Sequence, residues 1–227
     1  MSNTLPLNLF VDTTGIWQSQ KFVNPSVLGY LGANLGTWLN QSLDELGVED
    51  TPVIKGTVHP ASYITGRVYI AEGATVEPTA YIQGPCIIGP HAEIRHGAYI
   101  RGNAWIGAKA IVGHTTEVKG AIFFDGAKAG HFAYVGDAIL GRETNLGAGT
   151  KLANLKLNGS DVQVKHPITG VLTPTGLRKL SAIMSDHSQT GCNAVLSPGT
   201  VLMQNTAVLP CVHYYGTLVK GLATKAK

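Results

Sequence analysis

The sequence contains few charged residues, and it has no long apolar run. Charged residues make up only 14% of the 227 positions and the mean hydropathy is slightly positive, a composition that disfavours a disordered chain. The net charge of +3 is too small to indicate a nucleic-acid partner. No segment resembles a signal peptide or an apolar span of about 18 residues. We therefore expect a cytoplasmic protein that does not insert into a membrane.

Cysteine is scarce as well, and the three cysteines of the chain are Cys86, Cys192 and Cys211. Their number is odd and they form no Cys-x-x-Cys pair, whereas disulfide frameworks use even numbers and zinc sites use closely spaced pairs. We expect reduced thiols in an intracellular protein, with Cys86 packed in the interior.

What the sequence does have is an apolar residue at every sixth position over a long central segment. Helices repeat at 3.6 residues and strands at 2, so a strict period of six indicates a chain that turns a corner every six residues, as in a parallel β-helix. Families with six-residue repeats coil left-handed, and we expect an all-β, left-handed parallel β-helix. The twelve residues of this ladder are Val58, Ile64, Ile70, Val76, Ile82, Ile88, Ile94, Ile100, Ile106, Val112, Val118 and Phe124.

The two ends of the chain depart from the repeat. Residues 1–55 form an N-terminal extension in which Asn24-Pro25 predicts a helix start, apolar residues recur at helical spacing, and Gly47 predicts the helix end. We expect this helix to cap the β-helix on or near the first coil. The β-helix itself is predicted over 56–212, with a hairpin insertion near 155–179, and a polar tail follows at 213–227.

The ladder slips after Phe124, and the motifs around the slip resemble a known class of enzymes. They are similar to the acetyltransferase domain of bifunctional bacterial UDP-N-acetylglucosamine pyrophosphorylase/glucosamine-1-phosphate N-acetyltransferases. They also resemble the β-helix ends of archaeal-type sugar-1-phosphate nucleotidylyltransferases, over roughly residues 58–210. The motifs are Glu117-Val118-Lys119, Lys128-Ala129-Gly130-His131, Tyr134-Val135-Gly136-Asp137, Asn145-Leu146-Gly147-Ala148-Gly149-Thr150 and Ala153-Asn154-Leu155-Lys156.

The resemblance implies a homotrimer with active sites between neighbouring prisms, and acetyl transfer from acetyl-CoA to the amine of a hexosamine 1-phosphate, without a metal. It implies that His131 is the general base, a role that suits an imidazole pKa of about 6.5, and that Glu117 helps to hold its ring. The implied binding residues are Arg95 and Lys119 for the sugar phosphate, Tyr134, Asn145 and Asn154 for the sugar, and Gly147, Ala148, Gly149 and Cys192 for acetyl-CoA.

Departures from the family pattern leave other functions open. Leu155 stands in place of a tyrosine, Cys192 in place of a serine, and Ser160 and Gln163 in place of hairpin lysines. An acyltransferase for another acceptor, such as a nucleotide sugar, is one alternative. Another is a non-catalytic, trimerising or regulatory partner of a sugar nucleotidyltransferase, since residues 1–57 contain no glycine-rich nucleotide-binding loop.

A third alternative is a zinc protein that resembles γ-class carbonic anhydrase. His91 and His96 have the spacing of two zinc ligands, and His114 or His131 is a candidate for the third. The Arg, Gln and Asp residues that surround the zinc in that class have no match in this sequence.

Overall fold

The computed structural model describes residues 4–225, most of which wind into a three-sided prism. Each turn of the chain contributes one short strand to each side, and strands of successive turns pair in parallel. In chain order the strands are β1 (Val53–Ile54), β2 (Thr57–Val58), β3 (Tyr63–Thr65), β4 (Val68–Ile70), β5 (Thr75–Val76), β6 (Tyr81–Gln83), β7 (Cys86–Ile88), β8 (Glu93–Ile94), β9 (Tyr99–Arg101), β10 (Ala104–Ile106), β11 (Ile111–His114), β12 (Glu117–Lys119), β13 (Ala121–Phe123), β14 (Lys128–His131), β15 (Tyr134–Gly136), β16 (Ile139–Leu140), β17 (Asn145–Leu146), β18 (Lys151–Leu152), β19 (Gln163–Lys165), β20 (Leu172–Pro174), β21 (Ala182–Met184), β22 (Gln189–Thr190), β23 (Val195–Leu196), β24 (Thr200–Leu202), β25 (Ala207–Val208), β26 (His213–Tyr214), β27 (Thr217–Leu218) and β28 (Leu222–Ala223).

The three sides of the prism are numbered by their strands. Side 1 is the nine-stranded sheet that begins with β1 and β4, side 2 is the nine-stranded sheet that begins with β2 and β5, and side 3 is the eight-stranded sheet that contains β3, β6 and β9. The predicted left-handed parallel β-helix with a helical cap and a protruding hairpin is confirmed. No helix in the described part of the chain is long and apolar enough to cross a membrane.

The apolar ladder faces the interior of the prism at eleven of its twelve predicted positions, and the exception is Phe124. Phe123, not Phe124, is the register partner of Ile106 and belongs to the interior cluster. The prediction failed because Gly120 alone links β12 to β13, whereas two residues, Gly102 and Asn103, link β9 to β10. The repeat therefore shortens by one residue at this corner.

The N-terminal extension packs on the outer face of side 1. Leu35, Leu39 and Leu43 are fully buried in one cluster with Trp105 and other outward-facing residues of side 1. The extension contains three short 3₁₀ turns and one α-helix. These elements are the turns Leu7–Leu9, Ser19–Lys21 and Val27–Tyr30, and helix α1 (Ala33–Glu45).

Helix α1 begins later than Asn24-Pro25 predicts. Gly32 directly before it has φ 58° and ψ −137°, a conformation outside the helical region, so the preceding turn and the helix cannot be continuous. The predicted end is confirmed, since Gly47 follows the last turn with φ 71°, the left-handed conformation that glycine tolerates at a helix C-terminus.

The hairpin leaves the prism between β18 and β21. Strands β19 and β20 pair in antiparallel fashion, and a bridge between Leu155 and Lys179 closes the base. Where the sequence predicted a tail from residue 213, the structure continues the coil with β26, β27 and β28. The last turn is short, because Leu202 pairs with Leu218, only 16 residues on, so the period of six is lost there. Residues 1–3 of the extension and 226–227 of the tail lie outside the described residues.

Candidate active site

Three histidines occupy equivalent positions on successive coils at the corner between sides 2 and 3. His114 pairs in register with His131, and the ring of His114 stacks on that of His96 with centroids 5.1 Å apart and planes 6° apart. His114 Nδ1 lies 3.0 Å from the His96 carbonyl oxygen; because a carbonyl only accepts, Nδ1 is the donor. The exposed ring of His131 has no hydrogen-bond partner among residues 4–225. Both ring nitrogens are therefore available to a ligand.

The same corner continues upward from His131 through the residues predicted to bind acetyl-CoA. The Gly149 N–H donates to the His131 carbonyl (3.1 Å), and the Asn193 N–H donates to the Ala148 carbonyl (2.8 Å). His131, Ala148 and Cys192 thus lie in one line along the prism axis, with about 4.8 Å between coils. We call these three residues the corner line.

Two backbone donors on the corner line, the N–H groups of Ala148 and Cys192, have no acceptor within residues 4–225. On either side of Ala148, the Gly147 N–H donates to Thr190 and the Gly149 N–H to His131. An unpaired N–H at a partly exposed position is a donor that a ligand oxygen can use.

A second group of polar residues lies on the outer face of side 3, next to the corner between sides 3 and 1. The Lys119 ammonium lies 3.4 Å from a carboxylate oxygen of Asp137. Asn154 Nδ2 donates to the same carboxylate at 2.5 Å and to the Tyr134 hydroxyl at 3.3 Å. Partial burial, and then the negative charge of Asp137, raises the pKa of Tyr134, so this phenol stays protonated at neutral pH. We call Lys119, Tyr134, Asp137 and Asn154 the side-3 cluster.

Glu117 does not contact His131 in the structure. Its carboxylate accepts a hydrogen bond of 2.7 Å from the Arg101 guanidinium. The implied role of Glu117 in holding the imidazole therefore has no geometric basis within one chain. The ion pair instead extends the side-3 cluster by one coil and adds a second cation beside Lys119.

Arg95 and Asn145 lie on side 2, away from the side-3 cluster. Arg95 follows β8 and pairs with the Glu93 carboxylate at 2.7 Å, and Asn145 begins β17 in register with Lys128. The phosphate and sugar contacts implied for these two residues are thus not made on side 3 of the same chain.

Two residues of this site were not predicted as functional, namely Arg101 and Asp137. A complete coil of three six-residue repeats contains 18 residues, so the partner of Lys119 one coil below is Arg101 rather than Arg95. Counting in whole coils was the signal that could have found Arg101. For Asp137, the signal was the shortened corner, because the strand register, which pairs Lys119 with Gly136 and Ile122 with Ile139, puts Asp137 one coil above Gly120.

The histidines do not form a metal site within residues 4–225. That part of the chain contains no group of three His, Cys, Asp or Glu side chains that could hold a metal ion. His91 and His96 flank β8 at two different corners of the prism, so their sequence spacing does not bring them together.

Comparisons with known proteins identify relatives of the central segment. Residues 82–171 match the family described as the GMPPB C-terminal domain, a shorter range than the 58–210 expected from the motifs. The bifunctional sugar-1-phosphate nucleotidylyltransferase/acetyltransferase of Sulfurisphaera tokodaii is 34% identical over 92 residues, which are 40% of this chain and 22% of that protein. The bifunctional protein GlmU of Methanocaldococcus jannaschii is 36% identical over 87 residues, or 38% of this chain and 21% of that protein.

The match thus spans about a fifth of the length of these curated relatives. Among solved structures, the UDP-N-acetylglucosamine acyltransferase of Francisella novicida superposes with a TM-score of 0.41 and 13% identity, covering 76% of this chain and 62% of that one. The sequence matches confirm, for the central segment, the predicted resemblance to bifunctional sugar-1-phosphate nucleotidylyltransferase/acetyltransferases.

Proposed function

We propose that this protein is an acyltransferase of the hexapeptide-repeat class that moves an acetyl group from acetyl-CoA to the amine of a hexosamine 1-phosphate. The observation that carries the proposal is the corner line, in which an unpartnered imidazole precedes an unpaired backbone N–H by one coil. Acyl transfer to an amine needs both groups, a base for the nitrogen and a donor for the developing oxyanion.

The acceptor would bind at the side-3 cluster. Lys119 and Arg101 are cations of the two kinds that hold phosphate, one as a point charge and one as a planar fork. Tyr134 and Asn154 supply neutral hydrogen-bonding groups for the sugar hydroxyls. A modest positive net charge of +3 is consistent with an anionic substrate.

The reaction would proceed by direct attack, without a covalent enzyme intermediate. The amine attacks the thioester carbonyl while His131 takes its proton, and the Ala148 N–H stabilises the oxyanion that forms. The C–S bond then breaks, and the imidazolium returns the proton to the departing thiolate. Gly147, Gly149 and the exposed Cys192 leave the corner line open for the rest of the CoA molecule.

We further propose that the site is completed in a homotrimer. The predicted residues are divided between side 2, which carries Arg95 and Asn145, and side 3, which carries the side-3 cluster. The extension covers side 1, so sides 2 and 3 are the faces left for neighbouring prisms. A neighbour that places its side 2 against side 3 would bring the two sets together.

The test is release of free CoA from acetyl-CoA with glucosamine 1-phosphate and galactosamine 1-phosphate as acceptors. We expect activity in the wild type and a loss of about 10²- to 10⁴-fold in His131→Ala, the usual contribution of a general base. His59→Ala, which removes another exposed imidazole, is the matched control and should keep full activity. Unchanged activity in His131→Ala would refute the mechanism.

Other outcomes separate the alternative functions. CoA release only with amino sugars linked to a nucleotide would favour a different acceptor. No CoA release with any amino sugar, together with co-purification of a nucleotidyltransferase, would favour the non-catalytic partner.

A further inference from the structure

Asp137 joins three neighbouring coils at the shortened corner. Its carboxylate contacts Lys119 from the coil below and Asn154 from the coil above. Its backbone carbonyl accepts from the Ser181 N–H at 2.9 Å, where the chain returns from the hairpin. The residue is only 6% exposed and has φ 50°, a left-handed conformation uncommon for a side chain other than glycine. A carboxylate that is buried in this way requires partners.

The contact with Asp137 determines which way the Asn154 amide points. An ionised carboxylate only accepts hydrogen bonds, so the atom of Asn154 that faces it must be Nδ2. The other amide atom, Oδ1, therefore points away from Asp137 and has no partner in the described part of the chain. Asn154 thus offers an acceptor to a ligand.

The same contact determines the role of Tyr134. The Tyr134 hydroxyl oxygen accepts from Asn154 Nδ2, so its own proton is directed elsewhere. Tyr134 therefore offers a donor. With the Lys119 ammonium, the cluster presents two donors and one acceptor in fixed positions.

We propose that Asp137 is a positioning residue that sets the hydrogen-bonding polarity of the acceptor site, so that the ligand must place a hydroxyl or amine donor on Asn154 and an anionic oxygen near Lys119. The inference rests on the proposed function, because it assumes that the acceptor binds at the side-3 cluster. Asp137 itself need not touch the substrate. Its effect is transmitted through Asn154 and Lys119.

The first test is Asp137→Asn, which keeps the size of the side chain but removes the charge. We expect the KM for hexosamine 1-phosphate to rise about tenfold, the usual effect of losing one charge-assisted hydrogen bond, while the KM for acetyl-CoA changes less than about twofold. The matched control is Glu143→Gln. The backbone of Glu143 is also left-handed, and its carboxylate lies 3.8 Å from the Lys128 ammonium at another corner. Glu143→Gln should leave both KM values unchanged.

A double-mutant cycle separates positioning from general structural support. If Asp137 acts partly through Asn154, adding Asp137→Asn to Asn154→Ala should raise the KM by less than it does in the wild type, because only the effect through Lys119 remains. Full additivity of the two effects would overturn the inference. So would an equal rise in both KM values.

A further measurement needs no activity. Binding of glucosamine 1-phosphate without CoA, followed by calorimetry, should weaken in Asp137→Asn even if acetyl transfer itself is never observed. Unchanged binding of glucosamine 1-phosphate in Asp137→Asn would overturn the inference, whereas absence of CoA release by the wild type would refute only the proposed reaction.

Discussion

The three cysteines differ in solvent exposure according to whether they face the interior of the prism or lie at one of its corners. Cys86 points into the prism and is fully buried, and this burial raises the pKa of its thiol well above the usual range. Cys192 and Cys211 lie at the corner between sides 2 and 3 and are exposed. Because the thiolate is the reactive form, the three thiols should differ sharply in reactivity.

We expect a thiol reagent such as dithionitrobenzoate to modify two cysteines in the folded protein and all three in denaturant. Acetyl-CoA should protect Cys192, which lies on the corner line, and the Cys211→Ser variant makes that protection measurable on a single exposed thiol. Modification of Cys86 in the folded protein would contradict the burial argument. Unprotected Cys192 at saturating acetyl-CoA would contradict the proposed course of the CoA molecule.

Arg95 and Arg101 show how far single residues could be assigned from sequence. Each arginine directly follows an isoleucine of the ladder, and the two lie six residues apart. A comparison of motifs that repeat every six residues therefore does not distinguish them. Their positions differ because six residues advance the chain by one side of the prism, whereas 18 bring it back to the same side. The residue types of the site were thus predictable, but their partners depended on the number of sides per coil.

At the scale of elements, the N-terminal extension is attached to the prism through two carboxylates, the buried Asp186 and the half-buried Asp125. Asp186 accepts hydrogen bonds from the Asp12 N–H at 2.9 Å and the Arg142 N–H at 2.7 Å. Asp125 accepts from the Trp17 N–H at 2.8 Å and the Ala108 N–H at 3.0 Å. Each carboxylate therefore bridges a backbone group of the extension and one of the coil.

The variant Asp186→Asn should loosen the extension, because an amide has one acceptor oxygen for two N–H donors. We expect the free energy of unfolding to fall by about 1–2 kcal/mol, the cost of one unsatisfied donor. All three tryptophans, Trp17, Trp38 and Trp105, lie between the extension and side 1, so tryptophan fluorescence in urea reports this transition. Asp161→Asn, at an exposed hairpin residue, is the control. Equal stability of the wild type and Asp186→Asn would contradict the role of this carboxylate.

The same pair of proteins should show a defined pH dependence. Burial raises the pKa of Asp186 above the ordinary value of an aspartate, so between these two pKa values the folded state binds more protons than the unfolded state. Stability from this group is then lost as the pH rises through the folded pKa. The difference in free energy of unfolding between wild type and Asp186→Asn should therefore be larger at pH 4 than at pH 7. The opposite trend would show that the carboxylate is favoured in its charged form.

The elements were predicted best where the repeat is regular. The ladder from Val58 to Val118 predicts the position of each strand, because its large apolar residue must face the interior of the prism. Three features were missed, namely the corner at Gly120, the late start of α1 at Gly32 and the continuation of the coil beyond residue 213. The first two depend on backbone angles at a glycine, which apolar spacing does not report, and the third lies where the period of six is lost.

At the scale of the whole molecule, the proposed trimer can be tested without an assay. Sedimentation equilibrium should give a mass of three chains of 23.9 kDa. A charged substitution on side 3, Tyr81→Glu, should yield monomers with intact secondary structure, because Tyr81 lies on the exposed face between Tyr63 and Tyr99. A monomeric wild type would refute assembly through this face. The Tyr81→Glu variant should leave the extension in place, because the extension packs on side 1.

The winding of the chain also restricts how this site can change. Groups on the corner line are separated by whole coils, so the distance from the imidazole of His131 to the unpaired N–H of Ala148 is set in steps of about 4.8 Å. A substitution changes the chemical group at one coil, but it does not change the distance between coils. Only gain or loss of a complete coil, or a one-residue shortening such as that at Gly120, moves one group relative to another. Accommodation of a larger or smaller substrate must therefore come from the loops and the hairpin, because the spacing between coils of the prism is fixed.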